Sequence, residues 1–154
     1  MAGTNNAARY SHTQKAPLCL ILYGAAIVAL MVAIMSGEWQ GMVVVGVVVS
    51  ILIVLAAAFH HLTVEDEGDL LAIRFGPVPL FQKRLRYADI REVEVGRTLV
   101  LDGWGIHYSL RGGWVWNLWG RDCVVLHLKG KGILRIGTDD AEGLAAYLRG
   151  RIGA

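Results

Sequence analysis

His60-His61 is the pair of residues most able to do chemistry, because two imidazoles at a membrane boundary can ligate haem or a metal ion. No second ligand follows at helical spacing, so the pair also reads as the polar cap that ends an apolar run at a helix C-terminus. His107 and His127 have no carboxylate or cysteine at a recognised ligand spacing and read as structural polar groups. Asp139 and Asp140 look like paired acids, yet they stand where a helix is expected to begin, and the macrodipole favours carboxylates there in any case. Cys19 and Cys123 are too far apart in kind and context for a metal or disulfide motif and read as small buried hydrophobes. No serine or cysteine sits in a nucleophile elbow or beside a base, and no glycine-rich phosphate loop is present. The expectation is therefore a protein with no catalytic residue, no metal site and no cofactor.

Two other groups could bind rather than react. Trp104, Trp114, Trp116 and Trp119 crowd one short stretch. Three roles are open to them: a partner surface, since tryptophan concentrates binding energy; a membrane-interface belt; or the core of a small domain. Alternation in Trp114-Val115-Trp116 puts both indoles on one strand face. Lys83, Arg84, Arg86, Arg91 and Arg97 form the densest basic region, with Lys129, Lys131 and Arg135 as a second. Beside an anionic leaflet each exposed cation adds about 1 kcal/mol of attraction, so these five are lipid-headgroup candidates. Balanced by Asp89, Glu92 and Glu94, they also read as an ordinary solvated strand face.

What positions these residues is a chain of two unlike parts. Of 154 residues, 55% are hydrophobic. Much of that lies in two uncharged runs, Leu18–Met35 and Met42–Phe59, joined by Ser36-Gly-Glu-Trp-Gln40. At 1.5 Å per residue each run, with its flanks, crosses the roughly 30 Å hydrocarbon layer. The spacing predicts a transmembrane hairpin over 18–60, with helices at 18–36 and 41–59, after a cytoplasmic tail over 1–17. Small residues, Ala25, Ala29 and Ala33 against Gly46 and Ser50, offer close-packing faces. The spans hold no Asp, Glu, Lys, Arg or His, which argues against a channel or transporter. The first run is too long for a signal peptide, and no small-x-small cleavage site follows it. Arg9 and Lys15 before the hairpin, and the basic residues after it, place both termini in the cytoplasm. The net charge of +2 gives no general attraction to nucleic acid.

Past residue 61 the periodicity changes to that of strands. Leu62–Glu67 and Leu70–Phe75 read as a hairpin about Gly68-Asp69, ended by Gly76-Pro-Val-Pro79, whose prolines cannot sit inside a ladder. Lys83–Tyr87, Ile90–Thr98, Cys123–Lys129 and Ile133–Gly137 follow as strands, with a glycine- and tryptophan-rich stretch over 99–120. A C-terminal helix with Asp139 as N-cap carries the apolar stripe Ala141, Leu144, Ala145, Leu148 and Ile152. The pattern predicts a meander of about seven antiparallel strands closed by one helix.

The segments Phe75-Gly-Pro-Val-Pro-Leu-Phe81, Arg86-Tyr-Ala-Asp-Ile90, Gly103-Trp-Gly-Ile-His107 and Leu134-Arg-Ile-Gly-Thr-Asp-Asp140 resemble the pleckstrin-homology-like (PH-like) domains of small bacterial membrane proteins. The resemblance covers about residues 62–152 and implies a PH-like split barrel with a C-terminal α-helix. Its motifs are turns and strand ends and carry no catalytic residues. Together these readings predict a non-catalytic protein of the bacterial inner membrane, an accessory or assembly subunit of a larger complex. Its partners would be the lipid bilayer and other membrane-protein subunits. An anionic-lipid-sensing module is the alternative, and a metal- or haem-binding protein using His60 and His61 a second.

Overall fold

The structure is a computed structural model that describes residues 9–130 and 132–153, with the Leu101 side chain left aside. Lys131 of the second basic group and the first half of the tail lie outside these residues.

Two long helices, α1 (Leu18–Ser36) and α2 (Trp39–Ala58), pack antiparallel. Gly37, in the left-handed conformation that a residue without Cβ adopts freely, ends α1. Cys19, Ala26 and Ala33 are the buried residues of α1, spaced by seven as in a coiled-coil seam. Ala56 and Ala58 are the buried residues of α2. This corrects the expected close-packing faces: Ala33 is at the contact, but Ala25, Gly46 and Ser50 face outward. The outward Ser50 hydroxyl donates to the Gly46 carbonyl one turn back, which satisfies it where no water need be present. Both helices are long and apolar enough to cross a membrane, and most of their side chains, from Leu20 to Val54, are uncovered by protein.

Nine described strands form two sheets. The first, in order β1-β2-β3-β4, comprises β1 (Ser11–Lys15), β2 (His61–Asp66), β3 (Leu70–Gly76) and β4 (Gln82–Arg86). Strand β1 was not expected. It precedes the helical hairpin yet pairs antiparallel with β2, which follows it, from Ser11 opposite Glu65 to Lys15 opposite His61. Any membrane crossed by α1 and α2 therefore has β1 and β2 on the same side.

The second sheet runs β5-β8-β9-β7-β6, from β5 (Ile90–Arg97), β6 (Gly105–Tyr108), β7 (Trp114–Asn117), β8 (Asp122–Leu128) and β9 (Ile133–Gly137). It is not the predicted meander. The β6–β7 hairpin swings to the far edge, and β7 lies parallel to β9, pairing Trp114 with Leu134 and Trp116 with Ile136. The two sheets do not close into a barrel. A bulge between Ile90 and Glu92 breaks the alternation of β5, so Ile90 and Val93 both reach the core.

The C-terminal helix α3 (Ala141–Ile152) packs on β5 and β8 and covers this core, its Ala141, Leu144, Ala145 and Leu148 sharing one apolar cluster with Val93, Val124, Leu126 and Ile136. Its N-cap is Asp140 rather than the expected Asp139: the Asp140 carboxylate accepts from the Gly143 N–H and from the Tyr10 hydroxyl. Asp139 instead meets His12 of β1. Burial and the bond to Asp140 push the Tyr10 hydroxyl well above its ordinary value, so it stays a donor.

Candidate functional site

The four tryptophans do not form one site. Trp116, 9% exposed, belongs to the core, its ring 5.9 Å from that of Phe75. Trp114, two residues earlier on the same face, reaches the rim and is 50% exposed. Trp104, just before β6, and Trp119, just after β7, meet at the open end of the β6–β7 hairpin and stack, with centroids 4.2 Å apart and planes 19° from parallel. With Leu99, Val100, Gly103, Gly120 and Arg121 they line an open apolar groove of about 510 Å³.

Asn117 holds that pair. It is fully buried between Trp116 and Leu118, and its side-chain N–H group donates to the carbonyls of Gly103 and Gly120 at 3.3 and 3.0 Å. Those two glycines flank Trp104 and Trp119 in the chain. The Asn117 Oδ1 lies over Gly137, where a Cβ would collide with it and come 2.9 Å from the Asn117 backbone. A second tie runs from the Gln14 side chain of β1 to the Trp119 carbonyl at 3.2 Å. Asn117 is a functional candidate that sequence reasoning missed. A single amide amid Trp-Val-Trp-Asn-Leu-Trp was the available signal, because a polar group buried in an apolar run must find partners.

The five basic candidates are split between sheets. Lys83, Arg84 and Arg86 lie on β4, Arg91 and Arg97 on β5. Arg84 pairs with Glu67, Arg86 with Asp89 and Arg97 with Asp122, each at 2.9 Å. Asp89 holds the Arg86 guanidinium above its ordinary value. Lys83 and Arg91 make no ion pair with a described residue. The geometry therefore gathers no converging cationic pocket from these residues.

His60 and His61 stand edge to face, Nδ1 atoms 3.4 Å apart, and gather no third ligand among the described residues. Burial, then the neighbouring His60 and Lys15, lower the His61 value. His61 packs on Gly76 so closely that a Cβ there would meet its ring. His127 does have carboxylate company that spacing could not reveal. It sits opposite Glu92 across β5–β8, with Glu94 Oε1 3.5 Å from its Nε2. These three could offer ligand atoms within 4.8 Å of one another to a divalent cation. Both carboxylates stand in solvent, as in an ordinary polar contact between neighbouring strands. Cys123 is fully buried, and burial pushes its thiol up to about 11, where it is a poor nucleophile.

No protein-family model matches the chain, and comparison with curated proteins finds no match.

Proposed function

We propose that this chain is a non-catalytic, membrane-anchored interaction protein, an accessory or assembly subunit of a larger complex in a bacterial inner membrane. In this reading α1 and α2 are the anchor, both termini are cytoplasmic, and the β domain is a PH-like module that presents its surface to other subunits. Two sheets covered by a C-terminal helix support the module class. The observation that carries the proposal is the pairing of β1 with β2 across the helical hairpin. A domain stitched to both ends of a hairpin cannot swing away from it, and so displays one fixed face sideways to neighbours in the membrane. The Trp104–Trp119 groove is the contact surface we assign to a partner, because half-exposed aromatic side chains on a supported loop are typical binding anchors.

Purification of the tagged full chain in mild detergent, with cross-linking and mass spectrometry, tests this. A stoichiometric membrane companion, lost on Trp104→Ala, supports it. Recovery of the chain alone in both cases overturns it. The alternative of anionic-lipid sensing is less well supported, since Arg84, Arg86 and Arg97 already neutralise carboxylates.

A further inference from the structure

The loop between β3 and β4 has no part in the groove, yet it is built to hold apolar side chains outward. Phe59, the residue that ends α2, stacks on Phe81 at 5.3 Å and meets Phe75 edge-on at 5.0 Å. The His60 N–H donates to the Gly76 carbonyl at 3.2 Å, and the Phe75 N–H to the Phe81 carbonyl at 3.0 Å. Residues 76–81 are thus fastened to the first residues that leave the helical hairpin. Within the loop the Leu80 N–H bonds the Val78 carbonyl at 2.8 Å, and Pro77 and Pro79 stiffen the backbone on either side of Val78. Val78 and Leu80 are left 36% and 52% exposed. Leu80 and Phe81 continue into a shallow, mostly apolar hollow with Ile106, Trp114 and Trp116, lined also by Gln82 and Lys83.

We infer that this surface, Val78, Leu80 and Trp114 with Lys83 beside them, lies in the interfacial layer of the same bilayer that α1 and α2 cross. The inference rests on the anchor reading above and adds which face of the domain meets lipid. The argument is one of position and composition. If the apolar run ends at Phe59, the hydrocarbon boundary is at that ring, and a loop stacked 5.3 Å from it lies at the boundary too. Aliphatic residues, an indole at the rim and a lysine that can extend toward headgroups are the composition of an interfacial contact. The Trp104–Trp119 groove shares no lining residue with this surface. Lipid contact therefore leaves the groove available.

Spin labels on full-length protein in lipid nanodiscs test the placement. In a Cys19→Ala, Cys123→Ala background, single cysteines replace Leu80, Val47 in the middle of α2, and Glu142 on the exposed start of α3. Glu142 is the aqueous reference, because α3 begins beside Tyr10, at the end of β1 away from the hairpin. The expected result at Leu80 is an oxygen-to-nickel-chelate collision ratio several-fold above that at Glu142. Chelate access equal to that at Glu142 overturns the inference. A Leu80 label shielded from both reagents also overturns it, in favour of a protein contact. The Val47 label separates the two failures: only if it too is open to the chelate has the anchor itself failed. A second readout without labels is quenching by bromolipids, which Trp114→Phe should diminish and Trp104→Phe should leave nearly unchanged.

Discussion

Asn117 gives the sharpest test of how the groove is made. Asn117→Ala removes two hydrogen bonds, to the Gly103 and Gly120 carbonyls. At about 0.5–1.5 kcal/mol each, the loss is roughly 1–3 kcal/mol. The two carbonyls belong to exposed glycines and can turn to water, so no further penalty for stranded acceptors is added. Asn117→Asp keeps the shape but aims a carboxylate at two carbonyl oxygens from a fully buried position, and should cost more than alanine. In urea, with a slope of about 1–3 kcal/mol/M for a domain of this size, the alanine variant should unfold at a midpoint lower by roughly 1 M. Loosening must also appear at the stack itself. The exciton signal of the Trp104–Trp119 pair in circular dichroism, identified by its loss in Trp104→Phe, should weaken in Asn117→Ala before unfolding begins. An alanine variant with a full exciton signal and an unshifted midpoint would refute the assignment of Asn117 as the support of the groove.

Three further outcomes follow from the packing. Leu148, on the inner face of α3, is fully buried, and Leu148→Ala should destabilise the domain by about 2–5 kcal/mol in the same urea titration, with the exciton signal intact in the folded state. Burial alone would raise the Asp66 carboxyl, but hydrogen bonds from Tyr87 and Tyr147, the Arg151 charge and the Gly68 N–H outweigh it and hold the value below the usual 3.8. Asp66 thus contributes stability that is complete above its unfolded value and is lost as pH falls from there through the lower folded value. Asp66→Asn should flatten that acid limb of a stability–pH curve. Cys123, with its raised thiol and no exposure, should resist a disulfide reagent in the folded protein at neutral pH and react once the domain is unfolded.

Much of the fold was legible because one-dimensional patterns reported it. Uninterrupted apolar runs gave α1 and α2 to within a few residues, and the turn at Gly68-Asp69 gave the β2–β3 hairpin. The stripe Leu144, Ala145, Leu148 gave α3. What failed to show depends on partners distant in the chain. Ser-His-Thr-Gln-Lys has no apolar alternation, and becomes β1 only because β2 offers it an edge. The parallel pairing of β7 with β9, and the meeting of His127 with Glu92, are matters of strand order, which periodicity cannot express. The tryptophans were visible as a group, but their division into core, rim and groove came from where the β6–β7 hairpin lands. The basic residues were visible as a charge run, whereas their carboxylate partners lie mostly on other strands or turns.

The seam between β1 and β2 also bears on how the molecule is made. Strand β1 leaves the ribosome first, but its template is not synthesised until both greasy helices have followed. If α1 crosses a membrane, as the anchor reading proposes, the four-stranded sheet can be completed only when α2 has crossed back, returning His61 beside Lys15. A chain whose second helix stalled on the wrong side would leave β2 with a bare edge, open to aggregation or to proteolysis. On that reading, a completed sheet marks a chain whose second helix has returned to the side where the first began.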